Sequence, residues 1–396
     1  MSEEQRHAAQ TRWSGAAQLI AVVRAEPGVT RATAAQRLGI GTGGAADMVA
    51  RLRGLRLLDE TPAPARGRGR PTTVLGPHDA GPLVLVAEVR AADWRLAVAG
   101  IDAQPRIVAT GDYADNELDT ALRRLSVAVG STYRRNATRF RALTISVAGT
   151  VSDAELVQFT SRRRRNVDLS VLTERIPRRA GLTVLVGNDA TLAGLAEART
   201  GSARSARTSL HLIVAQGIGG TLVVDGEPLA GAHGAAGEYG HIPFGDPALA
   251  CPCGARGCWD LTVDGRALAR LRGEDAPEDP VGYVHRVLAE PRDARTRLAL
   301  ESVAASLGRG IGALVNLHDP EVVTLGGVGA ALRSGAARTF ETAYRDALMA
   351  YRQDAPPPVC DAEHGEEGPL RGAAIMAVDQ VVSVAGLADW AQRQRL

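Results

Sequence analysis

One histidine and three cysteines, His241, Cys251, Cys253 and Cys258, fall within eighteen positions of a 396-residue chain that has a single further cysteine, Cys360. Imidazole nitrogen and thiolate sulfur are preferred zinc ligands, and four of them close a tetrahedral structural site. Gly254 and Gly257 stand between the ligands, where the backbone must turn tightly. With four protein donors no coordination position is left for water or substrate, so the expected ion is structural Zn2+ and not a catalyst. Four cysteines in so long a chain do not make a disulfide framework, and Cys360 reads as an ordinary buried thiol.

A second chemistry lies near the N-terminus. Residues 1–79 carry 11 arginines against 7 acidic residues, a balance of +4, and the remainder of the chain balances at −2. A basic head on a slightly acidic body points to a polyanion met by the head alone. Ala16, Leu19, Ile20 and Val23 recur at helical spacing, so Thr11 to Glu26 is predicted as an amphipathic helix stopped by Pro27-Gly28. Thr30 is placed to cap a short helix ending at Gly39, and Thr42 to cap a third. Helix, short helix, glycine turn and helix is the helix-turn-helix order.

Strands are predicted at 55–60 and 72–75, joined by PAPARGRGRP, whose Arg66, Arg68 and Arg70 form a thin cationic wing able to enter a minor groove or grip phosphates. The third helix opens TGGAAD and offers only Thr42 and Arg51 toward DNA. Few bidentate contacts to base edges follow, so duplex DNA is the expected partner and its sequence is unreadable.

The elements that must position the metal cluster come from the body. Strands are predicted at 83–89, 94–101, 106–111 and 143–149 with a helix at 115–136, then further strands at 209–215, 221–226 and 321–327. Helices at 295–317 and 369–386 are candidates for packing. Three adjacent strands, a helix and a strand open the actin-like ATPase fold, and the second half repeats the material, so an α/β body of two lobes is expected. The predicted divisions are a winged helix-turn-helix domain at 1–80, a first lobe at 81–200 with a C-terminal helix at 375–396, and a second lobe with the zinc site at 201–374. With 45% hydrophobic and 23% charged residues, no apolar run near the roughly 20 residues of a membrane span and a polar N-terminus, the chain is expected in the cytoplasm and away from membranes. All 46 basic residues are arginine, from which no chemistry is drawn.

Asn188-Asp189-Ala190, Gly217-Ile218-Gly219-Gly220, GAHGAAGEYGH at 231–241, CPCGARGC at 251–258 and NLHDPEVVTLGG at 316–327 occur in the order found in the ROK family of repressors and sugar kinases. With a winged head in front, the chain resembles a ROK transcriptional regulator of the xylose-repressor type. The resemblance implies a sugar-kinase-like body in which Asn188, Asp189, Glu238 and His241 bind a sugar or sugar derivative, Asp189 stands at the position of the kinase base, and His241 divides its two ring nitrogens between zinc and the pocket. The Gly217–Gly220 stretch matches one phosphate loop.

Three departures bear on function. Kinases of the family place Asp-x-Gly-Gly-Thr between the first two strands, whereas this chain has Glu88-Val89-Arg90-Ala91-Ala92-Asp93; without glycines the backbone cannot approach phosphates, and Asp93 repels them. Asp260 stands where a glutamate usually follows the last cysteine. Arg162 to Arg165 replace a Gly-Trp pair; an arginine run is ordinarily a solvated face, and its alternative is an anionic sugar held by a guanidinium.

The expected function is a DNA-binding regulator, by family default a repressor of carbohydrate-related genes, that is not an enzyme and works as a homodimer or tetramer. The alternatives are an active ATP-dependent sugar kinase with an extra domain, and a regulator that has lost small-molecule sensing.

Overall fold

A computed structural model of the chain describes residues 3–63, 73–113, 117–290 and 293–394, the stretch before Trp13 by its helix alone. Two compact units emerge. The first comprises Met1–Ser146, Leu169–Val186 and Ala373–Leu396; the second comprises Val147–Asp168 and Gly187–Gly372.

The first unit opens with α1 (Glu3–Ala25), α2 (Arg31–Leu38) and α3 (Thr42–Gly54). Ala16, Leu19, Ile20 and Val23 are all buried, so the apolar stripe does form the inner face of α1. Thr30 caps α2 by accepting the Thr33 N–H at 3.1 Å, and Gly39 ends it at φ 64°, a left-handed position suited to glycine. The predicted Thr42 cap is displaced by one residue: Gly41 holds the extended N-cap position and Thr42 is already helical.

Strands β1 (Leu58–Pro62) and β2 (Thr73–Pro77) pair antiparallel from Leu58↔Pro77 to Pro62↔Thr73. The first begins three residues later than predicted because Leu55 to Leu57 end the helix, with Arg56 left-handed at φ 56° and the Leu57 N–H bonded to the Leu52 carbonyl. Arg66, Arg68 and Arg70 lie outside the described residues.

A five-stranded sheet follows, built from β3 (Leu83–Val89), β4 (Asp93–Ala99), β5 (Arg106–Asp112), β6 (Phe140–Val147) and β10 (Thr183–Asn188), and covered by α4 (Leu118–Arg135). The head is tied to this unit through the chain's last helix, α13 (Val384–Arg393). Trp390, 1% exposed, donates its indole N–H to the Leu55 carbonyl at 2.7 Å, and the Arg141 guanidinium lies 5.0 Å from its ring. Arg24 of α1 pairs with Asp379 at 2.6 Å.

In the second unit a small antiparallel sheet of β7 (Thr150–Ser152), β8 (Glu155–Phe159) and β9 (Arg164–Val167) accompanies a second five-stranded sheet. Its strands are β11 (Thr208–Val214), β12 (Ile218–Val224), β13 (Glu227–Pro228), β14 (Val322–Gly327) and β15 (Val359–Asp361). The two large sheets run β5-β4-β3-β6-β10 and β13-β12-β11-β14-β15, one strand order used twice. That duplication is the signature of the actin-like body.

Helices α5 (Asp189–Thr200) and α8 (Ala294–His318) serve the second unit, and α8 buries Val303, Leu307 and Ile311 in its core. By length and composition α8 is apolar enough to cross a membrane, yet most of it is packed inside this unit. The predicted helix at 369–386 is two: α12 (Gly368–Val381) stops, and α13 leaves at 69° from a new cap, Ser383, which accepts the Gly386 N–H at 3.0 Å.

Candidate metal centre and ligand pocket

The metal loop is fastened at both ends. Glu238 leads into a single 3-10 turn, Tyr239–His241, and the Trp259 N–H returns to the Ile242 carbonyl at 2.8 Å. Trp259 itself is fully buried; a Cβ on Gly310 would come within 2.1 Å of its ring, and its indole N–H donates to the Ser306 carbonyl at 3.2 Å. Between these anchors Gly254 and Gly257 adopt φ 104° and 65°, which L side chains rarely accept, and Ala250 bridges to Arg256.

The ligating atoms of His241, Cys251, Cys253 and Cys258 consequently lie within 4.8 Å of one another, an arrangement that could hold a metal ion. His241 Nδ1 is 3.8 Å from Cys251 Sγ, and the sulfurs of Cys253 and Cys258 are 3.7 Å apart. Bond lengths of about 2.3 Å to sulfur and 2.0–2.1 Å to nitrogen give tetrahedral edges of roughly 3.8 and 3.6 Å, so the quartet is close to ligating geometry. Burial, followed by the two neighbouring thiols, pushes the Cys258 thiol up to about 12. A cation among the sulfurs would reverse that preference. Cys360 lies in β15, half-buried and opposite Thr324.

The other ring nitrogen faces away from the sulfurs. His241 Nε2 lies 3.8 Å from Glu238 Oε2. Asn188 ends β10 and caps α5, accepting the Thr191 N–H at 3.0 Å while its amide donates to the Gly149 carbonyl at 3.0 Å. Asp189 is the first residue of α5, with Oδ1 accepting the Ala190 N–H at 2.9 Å.

Asn188 and Glu238 share one cavity with Val151, Gly219, Gly220 and residues 234–237, but its volume is only about 20 Å3. That admits about one water and no pyranose. Residues 234–237 of its lining belong to the 231–237 loop, in which Gly231, Gly234 and Gly237 take φ 74°, 83° and 98°. The loop is latched by the Asp153 N–H on the His233 carbonyl at 2.7 Å.

Two readings of the sequence need correction. Most of the Gly217–Gly220 stretch is not a loop: only Gly217 sits in the turn, at φ 129°, whereas Gly219 and Gly220 pair with Ile213 and Leu212 inside β12. Their lack of a side chain makes room for Ala190 and Tyr239. Asp260, read only as a shortened glutamate, is nearly buried; its Oδ1 accepts the Ile218 N–H at 2.5 Å and its Oδ2 lies 3.5 Å from His241 Nδ1. Burial pushes its carboxyl up to about 6 against the opposing charge of His241. A Cβ on Gly240 would meet this carboxylate at 2.0 Å, so Asp260 joins the β11–β12 turn to the metal histidine in a space glycine leaves open.

A further group was missed at the first strand turn. Glu88 and Arg95 face each other in the β3–β4 register and form a buried pair, Nε to Oε2 at 2.5 Å, with exposures of 3% and 8%. Their equal distance from the Arg90–Asp93 turn was the available signal. The turn is closed by the Arg90 N–H to the Asp93 carbonyl at 2.9 Å, by an Arg90–Asp93 ion pair at 3.3 Å, and by the Tyr113 hydroxyl on the Arg90 carbonyl at 2.6 Å. In the head, Thr42 and Arg51 are exposed at opposite ends of α3, while Arg53 is engaged with Asp59 at 3.0 Å.

The ROK family model matches residues 95–380 of the chain. The glucokinase of Streptomyces coelicolor is 30% identical over 173 residues, covering 39% of this chain and 55% of that protein. The xylose repressor of Bacillus spizizenii is 27% identical over 183 residues, 46% of each chain. The chain thus spans about half the length of the curated relatives it matches first. Among solved structures, a ROK family transcriptional regulator described as a homolog of the E. coli MLC protein superposes with a TM-score of 0.73 at 23% identity, covering 96% of this chain and 99% of that one. The match by family model extends over well more than half of the sequence, from within β4 of the first five-stranded sheet through the second sheet and the metal loop, and on that ground the chain belongs to the ROK family.

Proposed function

We propose that this protein is a DNA-binding transcriptional regulator whose ROK body senses a sugar or sugar derivative and does not phosphorylate it. The observation that carries the reading is the first strand turn. In a phosphoryl-transfer site that turn must present backbone N–H groups to ATP phosphates. Here it is closed by the Arg90–Asp93 pair, backed by Glu88–Arg95, and has no glycine at 90–93 to let the backbone approach a phosphate. The winged head at residues 1–80 supplies the alternative output. Support comes also from the likeness to a xylose repressor and to a structure titled as a ROK regulator.

In this reading Asn188, Asp189, Glu238 and His241 contact the effector once the 231–237 loop lifts from its latch, and the loop's three left-handed glycines are suited to such a movement. The residues around the metal loop fit Zn2+, which would be held by His241 Nδ1 and three thiolates and would fix the loop that carries Glu238. Two copies of the chain bind two half-sites, since one winged module has a small interface with DNA. Repression of carbohydrate genes is the expected sign.

A kinase reading is favoured by one observation: Asp189 is retained at the start of α5, and glucokinases are among the relatives. The two are separated by offering ATP with glucose, N-acetylglucosamine and N-acetylmannosamine in turn and following ADP release. We expect no turnover above a no-sugar control; sustained, sugar-dependent ADP release would establish the kinase. A regulator without small-molecule sensing is the outcome if no sugar in a broad panel raises the melting temperature.

DNA binding is tested by replacing Arg68 and Arg70 with alanine and measuring affinity against salt. Each phosphate contact contributes roughly 0.9 to the slope of log K on log salt, so the double variant should bind more weakly and flatten the slope by about 2 per head engaged. An unaltered slope would remove the wing from the interface.

A further inference from the structure

A cavity of about 410 Å3 lies on the second unit apart from the Asn188–Glu238 pocket, with which it shares no lining residue. Its size falls within the roughly 300–1,000 Å3 of small-molecule sites. One wall is the β8–β9 hairpin, contributing Gln158, Thr160, Arg163, Arg164 and Arg165; the other is the metal loop at Ala250, Cys251 and Pro252. Among the described residues no carboxylate lines it. Arg163, Arg164 and Arg165 therefore line a space that has room for more than a bare ion.

The hairpin is a fixed support. Gln158 pairs with Arg165 and Phe159 with Arg164, and Leu156, Phe159 and Val167 are buried beneath. Between the strands Arg163 closes the turn with its N–H on the Thr160 carbonyl at 3.1 Å and stands at φ 53°. A left-handed backbone is strained for arginine and unstrained for glycine. The chain keeps a charged side chain where the backbone favours none.

We propose that this cavity binds a phosphate monoester of a small polyol, clamped between the arginine hairpin and the metal loop. A phosphate monoester presents three terminal oxygens and close to two negative charges, which the guanidiniums of Arg163 and Arg165 can meet with paired N–H donors; a carboxylate offers two oxygens and one charge. The Gln158 side chain donates to the Thr160 hydroxyl at 3.1 Å, so an amide carbonyl and a hydroxyl proton remain for the polyol portion. Because Cys251 and Pro252 form the far wall, an occupant bears directly on the loop that holds the metal ligands. The site goes beyond the effector pocket proposed above and stands whether or not that pocket binds a sugar.

The test is calorimetry on the full-length metal-loaded protein with glucose 6-phosphate, inorganic phosphate and glucose. Glucose 6-phosphate should bind, phosphate should bind more weakly, and the Arg163→Ala/Arg165→Ala double variant should lose about tenfold or more of the ester affinity. Arg165→Lys should also weaken it, since an ammonium keeps the charge but not the fork. Both arginines are exposed, so the variants are expected to retain the native circular dichroism and metal content; Arg163→Gln alone provides a milder second variant. Glu238→Ala should leave ester binding intact while removing any response to neutral sugar. The proposal is overturned if the ester fails to bind at millimolar concentration, if the double variant binds it equally well, or if Glu238→Ala abolishes it. Equal affinity for the ester, sulfate and a short DNA duplex, lost at moderate salt, would likewise show a merely cationic surface.

Discussion

Removing the metal from the His241, Cys251, Cys253, Cys258 cluster will melt the second unit at a much lower temperature, and Cys258→Ser will reproduce the effect without a chelator. Structural zinc sites in isolated peptides contribute about 10–16 kcal/mol, all of it folding energy when the site does not exist in the unfolded chain. Here part of the loop is held independently by Trp259 against Gly310 and Ser306, so the loss should be smaller, on the order of 5 kcal/mol. For a unit of this size that corresponds to a fall on the order of 10 °C or more. Cys258 is the decisive position because it is fully buried. Serine there places a hydroxyl among sulfurs with no cation to meet it. The measurement is differential scanning calorimetry paired with metal analysis; an unchanged transition after verified metal loss would end the structural assignment.

The second large effect is expected at Trp390→Ala. This side chain is almost completely buried, is stacked by Arg141 and reaches the Leu55 carbonyl at the end of α3. Truncating a buried tryptophan costs about 3–5 kcal/mol, and the orphaned carbonyl adds to it. The loss is concentrated within the first unit, where the end of α3 meets α13. We therefore expect proteolysis to release the head from the variant while the body survives, and urea unfolding to separate into two transitions. Trp390→Phe, which keeps most of the packing and loses the N–H donor, should fall between. Arg24→Ala should matter much less, because its pair with Asp379 is partly solvated. A variant that unfolds in one step at wild-type urea concentration would show that the head has no such anchor.

What the sequence disclosed depended on how local the cause was. The stripe on α1, the Thr30 cap and the strand–helix order are written in spacings of a few residues, and the metal quartet in spacings of two to ten. Asp260 could not be read in the same way, because the Ile218 N–H and the Gly240 gap that define its role come from other turns. Trp390 and Leu55 are 335 residues apart, so no window contains both. The glycines at 217–220 misled because glycine serves equally in a loop that approaches a ligand and in a strand crowded by neighbours. Ala190 and Tyr239 decide between the two, and both are remote in the chain. Even the arginine run showed its charge but not its concavity.

One helix has residues in both units. The early part of α12 is pressed so closely on α5 that a Cβ on Gly372 would overlap the Leu192 carbonyl, and α5 is the helix that Asn188 caps and Asp189 begins. Seven residues further on, about 10 Å along the axis, Asp379 holds Arg24 of the first head helix. In the regulator proposed above, a message from a sugar to an operator would therefore not need to be relayed from one side chain to the next. It can pass as the displacement of a single stiff rod, and selection on such a transmission would act on one helix's straightness rather than on a pathway of residues.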